Sequence, residues 1–328
     1  MSENDMQHSY PLSREMREFV ETSAAFRAED DSMKAGRAAY DALCRHFTPA
    51  REAGVAIEEH CVAAEDWPVP VRLYRPVGEA PENGWPCVLY LHGGGWVVGG
   101  LDSHAFITMP TARDLCAVVV AVDYRLAPEH VFPAAFDDCM AAWRYLLAQG
   151  QDHRIDPSRL VVAGDSAGGN LAAALCLEIA RAGGPAPLGQ ALIYPVLGTD
   201  QSLPSYRDHA DAPLLTAADA EYYLKVYAPD PASHADPRLA PLAAASLAGM
   251  PPAFVAVAEF DPLRDDGERY VERLRAAGSA AQLHFGRGLL HGCMRAMRNC
   301  PETARLYQAF VEAISAMLGQ RPGNRVAS

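Results

Sequence analysis

The chain has 328 residues, of which 50% are hydrophobic and 21% are charged, and this ordinary globular composition excludes a mostly disordered, collagen-like or disulfide-scaffold protein. Its 28 Lys and Arg against 41 Asp and Glu give a formal net charge of −13. An acidic surface repels phosphate groups, so a general nucleic-acid binder or a protein that docks on anionic membranes is not expected.

The N-terminal residues lack the basic stretch and apolar run of a signal peptide, and the longest apolar runs, such as residues 116–122, are far too short to cross a bilayer. None of the eight cysteines belongs to a C-x-x-C pair or to a Cys/His cluster with zinc spacing. We therefore expect a cytoplasmic protein with free thiols and no metal site.

The spacing of apolar residues predicts the elements in chain order. Residues 12–47 carry apolar side chains three and four positions apart and are expected to be helical. Segments 55–63 and 69–74 alternate between apolar and polar residues and predict an antiparallel pair of strands. Shorter strands are expected at 87–91, 117–122, 160–163, 191–194, 253–258 and 282–285, and helices at 133–149, 167–182, 266–277 and 301–318.

Strands that alternate with helices predict a mostly parallel sheet covered by helices on both faces. Residues 198–250 break this rhythm because they are rich in Pro and Asp and are too long for a simple connection. We expect a catalytic core of residues 51–197 and 251–328, with residues 1–50 and the insertion 198–250 forming a helical cap. The alternative is that the two segments are separate surface decorations.

The strongest chemical signal is Gly164-Asp165-Ser166-Ala167-Gly168, which follows a predicted strand and opens a predicted helix. This is the G-x-S-x-G context of a nucleophile elbow, in which the sharp turn holds the serine hydroxyl above the carboxyl edge of the sheet. The glycines let the strand and the helix approach closely. Ser166 is therefore the candidate nucleophile.

A serine needs a histidine base, which in turn needs a carboxylate to hold it. Asp261 follows directly after the apolar run 254–260, which continues the predicted strand, and His291 follows the next strand. Both are therefore expected at the same sheet edge as Ser166. Glu259 competes with Asp261 because it lies two residues earlier on the same face. Asp265 and Asp266 begin a helix, where capping would explain them.

His92-Gly93-Gly94-Gly95-Trp96 follows another strand. Its glycines leave backbone N–H groups open to a ligand, as in the HGGG loop that stabilises an oxyanion in esterases. The Ala167 N–H would add a further donor. The alternatives are a merely flexible loop or a phosphate-binding turn, although residues 93–103 contain no Lys or Arg.

Together with Asp123-Tyr124-Arg125-Leu126-Ala127-Pro128-Glu129-His130, Asp261-Pro262-Leu263-Arg264-Asp265 and His291-Gly292, these motifs span residues 88–292. In this order they resemble the hormone-sensitive-lipase-like family of α/β-hydrolase carboxylesterases, of the bacterial GDSAGG type. The resemblance implies an α/β-hydrolase fold with a mostly parallel eight-stranded sheet, helices on both faces and a helical cap.

The resemblance also implies hydrolysis of short- to medium-chain carboxylic esters without a cofactor. By matching position, Ser166 is the nucleophile, His291 the base and Asp261 the acid. The oxyanion donors carry over to Gly94, Gly95 and Ala167, with Gly93 as the other glycine candidate, whereas residues 123–130 carry over as structural. After His291-Gly292 this chain has Cys293-Met294, whereas an aromatic residue is common there in the family. The difference affects the expected lining of the pocket and not the catalytic residues.

Other functions use the same residues. A lactonase, an amidase or a natural-product deacetylase would have the same triad, and a non-catalytic ligand-binding member of the fold would be expected to lack part of it. The expected partner is a small ester, and a homodimer through an exposed strand edge is plausible. Five residues could line the substrate site, although their spacing favours packing inside the cap: Tyr194, Leu214, Leu215, Tyr222 and Tyr223.

Overall fold

The computed structural model describes residues 10–49, 53–64 and 67–320. Within them, the strands form one sheet in the order β1-β2-β4-β3-β5-β6-β7-β8, with β2 antiparallel to both neighbours and all other pairs parallel. The eight-stranded, mostly parallel sheet and the antiparallel first pair are confirmed. The strands are β1 (Val55–Val62), β2 (Val69–Pro76), β3 (Trp85–Leu91), β4 (Val118–Val122), β5 (Ile155–Asp165), β6 (Gly189–Ile193), β7 (Ala253–Phe260) and β8 (Ala281–Leu290).

Helices cover both faces of the sheet, as expected. They are α1 (Arg14–Ala24), α2 (Met33–Phe47), α3 (Ala105–Leu115), α4 (Ala134–Gln149), α5 (Ala167–Ala182), α6 (Pro204–Asp208), α7 (Ala217–Tyr227), α8 (Arg264–Ala276) and α9 (Pro301–Met317). The fully buried strand β4 shows how the two faces divide, because Val118 and Val120 join one apolar core with Trp143 while Val119 joins the other with Phe310. Such a strand is a continuous apolar run because it has no solvent-facing side.

Two helix predictions were wrong. The continuous helix at 12–47 is interrupted between α1 and α2, where the Ser32 side chain accepts from Ala35 N at the start of α2 and Asp30 accepts from Ser32 N. These local hydrogen bonds compete with the helical pattern and mark a helix start. Helix α3 was missed because every residue from Ala105 to Ala112 is buried, so the segment has no polar face to give a periodic signal.

The expected cap segments are described in part. Residues 1–9 of the N-terminal segment and 50–52 at its boundary lie outside the described residues, as do residues 321–328 of the core. The insertion holds α6 and α7, and α7 begins with a capping box between Thr216 and Asp219. Among the described helices, none combines the length and apolarity that crossing a membrane requires.

Candidate active site

Ser166 lies in the turn between β5 and α5. Its backbone has φ 53° and ψ −120°, a strained conformation for a residue with a side chain. The Ser166 N–H donates to the Ile193 carbonyl at 2.9 Å, which fixes the turn to the neighbouring strand. Because a Cβ atom on Gly168 would lie 2.0 Å from the Leu91 carbonyl oxygen, only glycine allows the helix to start so close to β3.

Asp261 and His291 reach Ser166 from the ends of β7 and β8. His291 Nε2 lies 2.8 Å from Ser166 Oγ, and His291 Nδ1 lies 2.8 Å from Asp261 Oδ2. Asp261 is fully buried, and its other oxygen accepts from Leu263 N at 2.9 Å. The three side chains are therefore joined by two hydrogen bonds, one between the carboxylate and the imidazole and one between the imidazole and the hydroxyl.

The competing carboxylates have other partners. Glu259 Oε2 accepts from Gly288 N at 2.7 Å, so this side chain holds β8 rather than the histidine. The capping explanation for Asp265 and Asp266 was wrong, because the helix N-cap is Leu263 and has no side-chain cap. Asp265 accepts instead from Ser205 N at 2.9 Å, which ties α8 to the insertion.

Asp266 binds the backbone at the point where the insertion begins. Its Oδ2 accepts from Leu197 N at 2.8 Å and Gly198 N at 3.0 Å, while its buried Oδ1 has no hydrogen-bond partner in the described part of the chain. Burial raises the pKa of Asp266 to about 7, against the two N–H donors and with help from the nearby charges of Asp261 and Asp265.

We expect Asp266→Asn to change how stability depends on pH. The unfolded carboxyl ionises near pH 4, whereas the native carboxyl keeps its proton up to about pH 7, so wild type loses stability as the pH rises through this window. The loss is at most about 1.4 kcal/mol per pH unit for one group. The free energy of unfolding of the variant relative to wild type should rise from pH 5 to 7 in urea titrations, and parallel curves would contradict the shift.

The glycine loop lies beside Ser166 on the wall of the same cavity. The Gly93 N–H is already used, because it donates to Asp165 Oδ1 at 3.0 Å. Gly94, Gly95 and Ala167 lie on the wall of the same cavity as Ser166. Gly94 and Gly95 have φ of 124° and 60°, and a Cβ atom on Gly94 would lie 2.1 Å from the Val98 carbonyl oxygen. The loop conformation thus requires glycine where it faces the nucleophile.

A buried polar cluster supports this loop. Asp165 accepts from Tyr90 Oη at 2.8 Å and lies 3.3 Å from His104 Nε2. Although burial alone would raise the pKa of Asp165, the charge and hydrogen bond of His104 and the Tyr90 hydroxyl hold that pKa well below its usual range. Burial, with His104 nearby, lowers the pKa of His92 to about 3, so His92 is a neutral ring stacked on Tyr124 rather than a base. Sequence reasoning did not assign this cluster.

A cavity of about 180 Å³ opens in front of Ser166 and His291. Tyr194, Leu214, Leu215 and Tyr223 line it. Leu215 and Tyr223 also pack in an apolar cluster with Leu203 and Tyr206 of the insertion, as their spacing predicts. Tyr222 is exposed and does not line the cavity. Both expected cap segments contribute to the wall, through Phe19, Tyr40 and Leu43 on one side and through α7 on the other.

The cavity residues that were missed from the sequence include Tyr40 and Arg295. The departing residues Cys293 and Met294 are fully buried, and it is Arg295, one position further on, that reaches the cavity. Among residues 10–49, 53–64 and 67–320, no group of three or more His, Cys, Asp or Glu side chains is arranged to hold a metal ion.

Comparison with known proteins places the chain in a family. A family model described as alpha/beta hydrolase fold matches residues 88–295. Esterase LipI of Mycobacterium tuberculosis is 45% identical over 226 residues, which cover 69% of this chain and 71% of LipI. Ethyl acetate hydrolase of Pseudomonas putida is 39% identical over 282 residues, covering 80% of this chain and 89% of that protein.

Among solved structures, ester-hydrolase EH1AB1 from the metagenome of Lake Arreo, complexed with a derivative of bipyridine phosphonate, superimposes with a TM-score of 0.87 at 32% identity. The match covers 94% of this chain and all of the other, 100%. The chain therefore belongs to the α/β-hydrolase-fold family, in the hormone-sensitive-lipase-like group that its motifs resemble.

Proposed function

We propose that this chain is a serine carboxylesterase that hydrolyses short- to medium-chain carboxylic esters through an acyl-enzyme. One observation carries the proposal: Ser166 Oγ lies 2.8 Å from His291 Nε2, His291 Nδ1 lies 2.8 Å from Asp261 Oδ2, and the serine and histidine line one cavity. The names of the relatives support it, since LipI is an esterase and the Pseudomonas putida protein an ethyl acetate hydrolase.

In the first half-reaction, His291 Nε2 takes the Ser166 proton as Oγ bonds to the ester carbonyl carbon. The negative charge that develops on the carbonyl oxygen is stabilised by the N–H groups of Gly94, Gly95 and Ala167. One such donor contributes about 3 kcal/mol to the transition state. His291 then gives its proton to the alcohol oxygen as the carbon–oxygen bond breaks, and the alcohol leaves.

In the second half-reaction, water loses a proton to His291 and attacks the acyl carbon. The proton returns to Ser166 Oγ as the acyl–oxygen bond breaks, so the enzyme is restored and a carboxylic acid is released. Asp261 orients the imidazole and stabilises its cationic form throughout. The engagement of the Gly93 N–H by Asp165 supports Gly94 and Gly95 as the glycine donors.

The proposal includes the organisation of the chain. Residues 1–50 and 198–250 would act as one cap over a core of residues 51–197 and 251–328, and the shared cavity wall supports this division. A cytoplasmic location stays a prediction, as does a homodimer through an exposed strand edge.

A panel of p-nitrophenyl esters from acetyl to dodecanoyl tests the function. We expect turnover with an optimum among the short and medium chains, because the cavity of about 180 Å³ is small. A γ-lactone and a p-nitroanilide of the best acyl group serve as the comparison and should react more slowly. Absence of turnover on every ester, or faster cleavage of the lactone or anilide, would contradict a carboxylesterase.

A further inference from the structure

Arg295 places a positive charge on the cavity wall. It lies four residues after His291, in the short helical turn Cys293–Ala296, and it lines the same cavity as Ser166. The side chain is only partly exposed, and interior groups surround it on the other sides. The proposed mechanism gives this guanidinium no role.

The hydrogen bonds of Arg295 go to groups that are not carboxylates. Its Nε donates to Cys44 Sγ at 3.3 Å, Nη1 to the Gly292 carbonyl at 3.1 Å and Nη2 to Tyr40 Oη at 2.5 Å. Its Cζ lies 4.9 Å from the centre of the Tyr40 ring. Within the described residues, no Asp or Glu oxygen lies within 4.0 Å of this guanidinium.

Asp165, the carboxylate that shares the cavity wall, interacts with the Arg295 charge at a distance and helps to balance it, but its oxygens make their contacts with other groups. Its oxygens accept from Tyr90 Oη and Gly93 N and contact His104 Nε2. A charge removed from water without an opposite charge in contact is costly, and an anion that enters the cavity would offset this cost. Arg295 is thus a cation that lacks a contacting anion until something enters the cavity.

The donors that remain suit a carboxylate. A guanidinium has five N–H groups in a planar fork, and three of them are used here, which leaves one on each terminal nitrogen. Such a pair matches the two oxygens of a carboxylate. Tyr40 keeps its proton, because burial raises its pKa well above its usual value, and its hydroxyl can donate to the same anion.

We infer that Arg295, assisted by the Tyr40 hydroxyl, binds a carboxylate of the substrate, so that the preferred esters carry a free carboxylate in addition to the scissile bond. The inference rests on the proposed esterase function and names its substrate class. It leaves open to measurement whether the anion belongs to the acyl or to the alcohol half.

The competing explanation is purely structural. Through Gly292 and Tyr40, Arg295 joins α2 to the loop that carries His291, and a residue with that role alone would position the base. The two explanations differ in one readout. A positioning residue affects charged and uncharged esters equally, whereas a carboxylate anchor affects their ratio.

The test compares matched pairs of esters. On the acyl side, p-nitrophenyl hemiglutarate is paired with p-nitrophenyl pentanoate, and on the alcohol side, 4-acetoxybutanoate is paired with butyl acetate. We expect wild type to favour the carboxylate member of one pair in kcat/KM. In Arg295→Met this charged-to-neutral ratio should fall by about 10- to 100-fold, the range for a lost hydrogen bond to a charged group.

Three further variants make the test specific. Arg295→Lys keeps the positive charge but not the planar guanidinium, so its charged-to-neutral ratio of kcat/KM should fall by less than in Arg295→Met. In Tyr40→Phe the ratio should fall by a still smaller factor. Arg37→Gln is the matched control, because Arg37 also ties α2 to the core, through Val97 and Glu129, but does not line the cavity. Its ratio should equal that of wild type.

Failure of the inference and failure of the function give different results. Hydrolysis of the uncharged esters with no preference for a carboxylate in either pair, or an equal loss on both members in Arg295→Met, overturns the inference and leaves the esterase intact. If no ester is hydrolysed, calorimetry still decides the inference: monobutyl glutarate should bind to Ser166→Ala and should lose that binding when Arg295→Met is added. Equal binding to both proteins overturns it.

Discussion

Replacing Ser166 by alanine is expected to lower ester hydrolysis by at least about 10⁴-fold, because the hydroxyl oxygen forms the covalent bond and no neighbouring group replaces it. The methyl side chain fits the same space, so substrate binding should persist and the loss should appear in kcat. Steady-state rates of both proteins on the best p-nitrophenyl ester, with a circular dichroism spectrum to verify folding, measure the effect.

Covalent labelling provides the independent control. A p-nitrophenyl alkylphosphonate should add its phosphonyl group to Ser166 Oγ with release of p-nitrophenol, and the labelled peptide should be absent from Ser166→Ala. Ser23 also has a hydroxyl on the cavity wall, but it donates to the Phe19 carbonyl at 2.7 Å. Ser23→Ala should therefore still be labelled at Ser166. Turnover that survives in Ser166→Ala would identify a different nucleophile.

The sequence predicts well those elements whose own pattern of apolar and polar residues determines their structure. Strand β2 alternates between buried and partly exposed residues over most of its length, and β4 is a run of Val and Ala with no polar interruption. Helix α3 lacks such a pattern, since its burial on every side depends on what folds around it. Sequence patterns identify elements with one solvent-exposed face better than elements that are buried on every side.

The candidate triad was predictable because topology brings it together. In a parallel sheet, residues that follow strand ends share one edge, so Ser166, Asp261 and His291 could be named from order alone. The choice among the three glycines could not, since it depends on the contact between Gly93 N and Asp165 Oδ1, which are 72 positions apart.

The cavity wall was the least predictable part. Arg295 meets Tyr40 across 255 positions, and nothing in the local sequence of either residue indicates the contact. The helical spacing of Tyr223 in α7 predicts its packing inside the cap but not its additional place on the cavity wall. Chemistry that depends on backbone turns leaves a motif in the sequence, whereas substrate recognition built from several segments leaves none.

Asp261→Asn is expected to lower kcat by about 10⁴-fold with little effect on KM. The asparagine oxygen can still accept from Leu263 N, so the loop should keep its shape. Its amide nitrogen, however, would take the place of Oδ2 and donate to His291 Nδ1. The imidazole proton is then held on Nε2, the atom that must accept the Ser166 proton, and the base is in the wrong tautomer.

Glu259→Gln is the matched control for this prediction, since Glu259 is the other carboxylate at the end of β7 and accepts from Gly288 N rather than from the histidine. Glutamine preserves an oxygen acceptor there, and the variant should keep activity within a few-fold of wild type. A nuclear magnetic resonance spectrum of the imidazole nitrogens would report the tautomer in wild type and Asp261→Asn directly. If Glu259→Gln lost activity while Asp261→Asn retained it, the acid would be Glu259, and His291 would have to turn away from Asp261 during turnover.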